Sequence, residues 1–227
     1  MTHAPRRPPL SLPDVPALAV PAYLGDRLAS LGVSLDAVAV GKLASFLALL
    51  IAMNEQLNLT AITDPDAAWS RHALDALSLV PHLVDVPAGA RVLDVGSGGG
   101  VPGIPLAITR PDLHVTLLDS TEKKIAFLRA AAAKLELTNV DAIAGRAEDV
   151  TLGPEFDVVT ARAVAKLATL VPWTAPFAKD GGRLLLIKGE RADAERKDAA
   201  SVLRRYGCVH ERTVLTPTGR IVTLRVR

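Results

Sequence analysis

The chain has 227 residues, 49% of them hydrophobic, with 26 Lys and Arg against 24 Asp and Glu and a single cysteine. That length and apolar content suffice for one sizeable core plus an accessory region, and no apolar run reaches membrane-spanning length without interruption, so no membrane partner is expected. Cys208 on its own excludes an internal disulfide and a cysteine metal cluster, which suits a reducing cytoplasm and leaves the thiol to a buried strand.

The chain opens on a Pro-rich stretch with Arg6 and Arg7 but lacks a signal peptide's apolar core and small-residue cleavage site, so residues 1–16 read as a disordered tail. Residues 17–88 carry helical patterns. Ser34 is placed to cap a helix with Leu35, Val38, Leu43, Phe46, Leu47, Leu50 and Ile51 on one broad face. Asn54 to Thr63 form a polar turn. Asp64-Pro65 then signals a second start, for a helix from Asp66 to Leu83 that carries Trp69, Leu74, Leu77 and Leu79.

Residues 89–227 alternate strands and helices. Strands are expected at 91–95, 114–119, 140–144, 156–161 and 182–188, the pattern of an open parallel sheet covered on both faces. The end differs: Val209–Leu215 and Ile221–Val226 are joined by Thr216-Pro217-Thr218-Gly219-Arg220 and read as an antiparallel hairpin.

The first of these strands runs directly into Gly96-Ser97-Gly98-Gly99-Gly100-Val101-Pro102-Gly103. Strand carboxyl ends are where α/β sheets bind ligands, and glycines let the backbone approach them. Two cofactor patterns overlap here. Gly98 to Gly103 satisfies G-x-G-x-x-G, with a pyrophosphate held at a helix N-terminus. Asp94 to Gly100 satisfies the acidic-x-G-x-G-x-G pattern of S-adenosylmethionine enzymes. An acid at the strand end suits an ammonium and a sulfonium better than a pyrophosphate, so Asp94 favours S-adenosylmethionine. Asp119, ending the second strand, is the ribose candidate for either cofactor, with helix capping as its ordinary alternative. After the third strand, the backbone of Ala147 and the carboxylate of Glu148 are placed to read an adenine edge, and a plain acidic loop is the alternative there. A parallel sheet closed by an antiparallel hairpin is the arrangement of S-adenosylmethionine methyltransferases, whereas dinucleotide folds usually continue in parallel.

The formal charge of +2 hides an asymmetry: Arg183 to Arg227 holds 11 Lys and Arg against 5 Asp and Glu, net +6, leaving −4 elsewhere. A basic C-terminal part suits an anionic partner such as nucleic acid, although Glu190 to Arg205 mixes signs as an ordinary solvated helix does. The fourth strand ends in Ala161-Arg162-Ala163, without the Asn/Asp-Pro-Pro-aromatic run typical of exocyclic-amine methylation, and Cys208 begins a late strand rather than serving as a carbon-5 nucleophile. An acceptor with a free lone pair, such as guanine N7, needs neither; positioning suffices.

Asp94 to Leu106, Leu117-Leu118-Asp119-Ser120, Thr160-Ala161-Arg162-Ala163, Leu186-Ile187-Lys188-Gly189, and upstream Asn58-Leu59-Thr60-Ala61-Ile62 and Arg71-His72-Ala73-Leu74-Asp75-Ala76, occurring in this order, resemble the RsmG/GidB family of bacterial 16S ribosomal RNA guanine-N7 methyltransferases. The resemblance covers roughly residues 40–227. It departs at Gly99, at Val101, where a larger side chain is usual, and at Ala76. It implies a Rossmann-like class I S-adenosylmethionine methyltransferase sheet with an N-terminal helical extension, and a methyl passed from S-adenosylmethionine to guanine N7, leaving S-adenosylhomocysteine. Gly96, Val101, Ala147, Glu148 and Arg162 would touch the cofactor, with Asp94, Asp119 and the loop glycines, Gly98 among them, holding it.

Arg162 would position the methionine end or the target, and a sheet-edge ion pair is its ordinary alternative. Lys188 would position as well and meet a phosphate. Arg71 and His72 would face the RNA from the helices, although His72 also suits a packed helix. The expected partner is 16S ribosomal RNA or the small ribosomal subunit, met by a cytoplasmic monomer. A small-molecule methyltransferase and a nicotinamide oxidoreductase are the competing readings.

Overall fold

The computed structural model describes residues 10–162 and 164–227. Among them, β1 (Arg91–Val95), β2 (His114–Asp119), β3 (Val140–Ala144), β4 (Phe156–Arg162), β5 (Ala178–Lys188), β6 (Cys208–Thr216) and β7 (Gly219–Val226) form one sheet in the order β3-β2-β1-β4-β5-β7-β6. Strands β1 to β5 are parallel and the sheet is closed by an antiparallel hairpin, as the sequence pattern predicts; within it β7 inserts between β5 and β6. Chain connections leave β1 toward β2 and enter β4 on its other side, so a crevice opens at the carboxyl ends of β1 and β4.

Both faces of the sheet are covered. Val92, Val115, Leu117, Val158 and Leu185 point to one face, where α2 (Ala37–Leu57), α5 (Gly103–Thr109) and α6 (Glu122–Lys134) pack. Leu93, Val95, Val159, Leu184 and Leu186 point to the other, under α7 (Leu167–Thr174), α8 (Ala192–Asp198) and α9 (Ala200–Arg205). Burial on two faces is why these strands read as apolar runs instead of alternating. The first cluster continues without a break into the N-terminal helices through Leu43, Phe46, Leu50, Trp69 and Leu77, so those helices share the sheet's core.

The N-terminal region departs from its sequence reading in four places. The cap of α2 is Asp36, which accepts from Ala39 N at 2.7 Å, and not Ser34. The helix runs past Asn54 to Leu57, and Asn58, at φ 49°, ends it. Polar Glu55 and Gln56 are exposed on that last turn and so do not break it, while Asn54 ties the following turn by accepting from Thr60 N at 2.8 Å. At 21 residues and mean hydropathy 1.8, α2 also has the length and composition of a membrane-spanning helix, but Leu43, Phe46, Leu47 and Leu50 are packed in the core.

The expected Asp66–Leu83 helix is four shorter pieces. Asp64 caps it, accepting from Ala67 N at 2.8 Å, with Pro65 in the first turn. After α3 (Pro65–Ala68) the backbone widens into a π-turn over Trp69–Leu74, then continues as α4 (Asp75–Leu77) and a 3-10 turn over Val80–Leu83. Of the Pro-rich tail, residues 1–9 lie outside the described residues. From Leu10 the chain is an ordered strap instead of a disordered tail: Leu10, Leu12, Val15 and Leu18 pack on the core, and Ala19 O accepts from Trp69 Nε1 at 2.9 Å. Its apolar residues recur often enough to hold it down.

Candidate active site

The glycine loop folds back over β2. Gly96 N and Ser97 N both donate to Leu118 O, at 2.8 and 3.0 Å. Gly96 sits at φ +70°, and a Cβ there would lie 2.7 Å from the Val164 side chain, so conformation and space both require glycine. Gly98 N donates to Asp119 Oδ2 at 2.9 Å, and Asp119 Oδ1 accepts from Thr121 N at 2.8 Å. Asp119 therefore ties the loop to β2 and is not the cap of α6, which begins after Thr121. Each carboxylate oxygen keeps a lone pair for a ligand hydroxyl.

Asp94 lies beneath the loop and is fully buried. Its Oδ2 accepts from Gly103 N at 3.0 Å, joining the strand end to the start of α5, while its Oδ1 has no partner. A Cβ at residue 103 would meet the Leu117 side chain at 2.2 Å, so only glycine allows this approach. Burial pushes the Asp94 carboxyl up to about 7.

Two adjoining hollows open at the carboxyl end of the sheet. The larger, about 290 Å³, lies over β1, β2 and β3 and brings together Gly96, Gly98, Asp119, Ala147, Glu148 and Arg162, with Lys124, Arg146, Val164 and Trp173. The smaller, about 160 Å³, lies between the loop and the N-terminal helices and is lined by Leu50, Leu59, Thr60, His72, Val101 and Arg162. Gly96, Gly98 and Arg162 border both. Val101 thus stands on the other side of the loop from the acidic residues, and Asp94 lines neither hollow.

Arg162 reaches this position from the end of β4, a central strand, and is held by the N-terminal helices. Its Nη1 donates to Arg71 O at 2.7 Å and to Asp75 Oδ2 at 3.2 Å, and its Nη2 contacts His72 Nδ1 at 3.1 Å. His72 is buried, and its Nε2 meets Thr60 Oγ1 at 2.7 Å. Burial, with the Arg162 charge second, lowers the His72 pKa to about 4. His72 lines the smaller hollow from the helices, as expected, and the expectation is narrowed only in that it is also packed there as a neutral bridge with both nitrogens engaged. Arg71 is exposed, and its backbone carbonyl is what serves Arg162.

Lys188 needs a larger correction. Its ammonium is buried, 2.9 Å from Glu195 Oε2, and donates to Ala165 O. Glu195 also accepts from Leu167 N at 3.1 Å. The side chain lines neither hollow and is not presented to a phosphate; it anchors the 164–167 connection that carries Val164 over Gly96. Asp75, Thr60, Thr218 and Trp173 were not singled out as site residues from the sequence. Asp75 and Thr60 do lie in the motifs quoted above, whereas nothing local marks Thr218 or Trp173.

Residues 39–219 match the family described as rRNA small subunit methyltransferase G, GidB. The protein named ribosomal RNA small subunit methyltransferase G from Sorangium cellulosum is 52% identical over 222 residues, covering 96% of this chain and 93% of that one. Its namesake from Halorhodospira halophila is 43% identical, covering 90% and 96%. Among solved structures, a SAM dependent methyltransferase from Aquifex aeolicus superimposes with a TM-score of 0.57 at 17% identity, covering 72% of this chain and 94% of that one, a likeness of fold. The antibiotic-resistance methyltransferase Kmr does so with a TM-score of 0.53 at 16% identity, covering 67% and 93%. The Rossmann-like methyltransferase sheet, the glycine loop in its crevice and the match over most of the length agree: the chain belongs to the rRNA small subunit methyltransferase G family.

Proposed function

We propose that the chain transfers a methyl group from S-adenosylmethionine to N7 of a guanine in the 16S ribosomal RNA of the small subunit, acting as a cytoplasmic monomer. The observation that carries the N7 reading is the state of the smaller hollow. His72 is the one titratable nitrogen base lining it among the described residues, and both its ring nitrogens are engaged. No group there is free to take a proton from an acceptor. A ring nitrogen with its own lone pair needs none.

The larger hollow fits the methyl donor. Its floor is a glycine cradle that a Cβ at residue 96 would fill, and Asp119 presents a carboxylate to vicinal hydroxyls; Asp94, buried beneath the loop, holds the cradle from below through Gly103 N. Bound there, S-adenosylmethionine supplies an electrophilic methyl; the N7 lone pair forms the new bond as the sulfur takes the electron pair of the old one, leaving S-adenosylhomocysteine. Asp119 accepts from the ribose, and Ala147 with Glu148 reads the adenine edge. Val101 packs beside the reacting end. Arg162, bordering both hollows, orients the charged amino-acid end and the target together. Holding two reactants in line is the main contribution such a site makes.

An A-form major groove is too narrow to present N7 to a protein, so the target guanine lies in a loop, bulge or opened segment. Lys124 and Arg146, which line the larger hollow, and exposed Arg71 on the adjoining helical segment meet the phosphates, a role Lys188 does not share. The test is incubation of the purified chain with methyl-labelled S-adenosylmethionine and small subunits, or their RNA, from a strain lacking it. Label in the RNA is the expected result. Calorimetric binding of a nicotinamide dinucleotide without S-adenosylmethionine, or label entering only small metabolites, would favour the competing readings.

A further inference from the structure

We propose that the C-terminal hairpin turn belongs to the transfer site: Thr218 fixes Asp75, and Asp75 fixes the aim of Arg162. This rests on the reading of Arg162 given above. Asp75 is buried, and its two carboxylate oxygens serve opposite sides. Oδ1 accepts from the Thr218 hydroxyl, and Oδ2 accepts from Arg162 Nη1 at 3.2 Å. Helix, strand and hairpin, distant in sequence, therefore meet at one carboxylate.

The turn is seated by contacts that do not involve Thr218. A Cβ at Gly219 would lie 2.2 Å from Lys188 O, so the turn presses its backbone against the end of β5. Arg220 Nη1 donates to Glu190 O just beyond that end. Thr218 is thus presented to Asp75 from a fixed platform.

The consequence for Arg162 follows from donor arithmetic. A guanidinium has five N–H donors. Three go to Arg71 O, Asp75 Oδ2 and His72 Nδ1, all in the helical segment, which leaves two for a ligand in the hollows that Arg162 borders. Without the Thr218 hydroxyl, Asp75 Oδ1 becomes a buried acceptor with no donor, which a structure does not leave unmet. The nearest donor-rich group is Arg162 itself. The carboxylate turns to take the guanidinium with both oxygens, a favoured pairing, and draws it away from the cleft. Thr218 and Asp75 are positioning residues, and neither is placed to touch the reactants.

The test uses the full chain with Thr218→Val, which keeps the shape and removes the hydroxyl, and Thr218→Ser, which keeps the hydroxyl. Calorimetry with S-adenosylmethionine and steady-state methylation of small-subunit RNA are read beside the thermal midpoint. The expected result for Thr218→Val is a five- to tenfold weaker S-adenosylmethionine affinity and a lower kcat, with the thermal midpoint unchanged, and Thr218→Ser restoring both affinity and kcat. Wild-type affinity and kcat in Thr218→Val, or a serine variant as impaired as the valine one, would overturn the inference. A wild-type chain that neither binds S-adenosylmethionine nor methylates RNA would instead overturn the reading beneath it, and the inference with it.

Discussion

His72 Nδ1 lies 3.1 Å from Arg162 Nη2, and because a guanidinium only donates, that nitrogen must carry the lone pair. The ring hydrogen is therefore on Nε2, donated to Thr60 Oγ1 at 2.7 Å, which leaves the imidazole neutral and unable to act as a base. The expectation is a single Nε2–H tautomer in 15N-resolved NMR from pH 8 down to pH 5. In Arg162→Leu, where the cation beside the ring is gone, the His72 pKa moves up.

The acid dependence of stability carries two opposed contributions. His72, lowered from 6.5 to about 4, binds its proton more readily in the unfolded chain, so its contribution is full above about pH 6.5 and is lost as pH falls through about 4. Asp94, raised from 3.8 to about 7, binds its proton more readily in the folded chain, so its contribution is full below about pH 3.8 and is lost as pH rises through about 7. Between pH 4 and 6.5 the two offset. Urea unfolding across that window is expected to show stability rising with pH in Asp94→Asn and falling with pH in His72→Gln, each relative to the wild-type chain.

Asp119 presents two roles to one substitution. Asp119→Ala removes the tie to Gly98 N and, on the proposed function, the acceptor for the ribose, each a hydrogen bond to a charged group worth about 1.5–3 kcal/mol. Calorimetry is expected to show S-adenosylmethionine affinity reduced by at least about tenfold, because some of the lost energy falls on the loop instead of the ligand.

Lys188 separates a structural role from a nucleic-acid one. Lys188→Met leaves the Glu195 carboxylate without its cation in a largely buried place, and a stability loss of about 2–4 kcal/mol is expected by chemical denaturation. The salt dependence of RNA binding should keep its slope. A substitution at Arg71 or Arg146 should do the reverse, weakening binding uniformly and lowering the slope by about 1 for each phosphate that is no longer neutralised.

Much of this was legible in the residues because it is local. The strand positions, the closing hairpin and the cradle of Gly96, Gly98, Asp119, Ala147 and Glu148 follow from apolar period, turn chemistry and strand-end acids, and the structure gathers those five in one hollow. What was not legible depends on partners remote in sequence. Lys188 and Arg162 carry the same signal, a cation at a strand's carboxyl end. Only the approach of Glu195 from α8 buries the first, and only the π-turn at Trp69–Leu74 and the adjoining Asp75 hold the second at the cleft. Ser34 and Asp36 are both good caps two residues apart, and it is Asp36 that accepts from Ala39 N. The strap from Leu10 reads as a tail because its prolines dominate the local pattern when the groove that receives Leu10, Leu12, Val15 and Leu18 is unknown.

The most direct test of the central claim is the chemical identity of the product. Small-subunit RNA from a strain lacking the chain, labelled in the methyl group by the purified protein, is digested to nucleosides and resolved by mass and retention, and the labelled position is mapped along the RNA. The account predicts label in 7-methylguanosine at one site of 16S RNA. Label in any other methylated nucleoside, or in none, would contradict it.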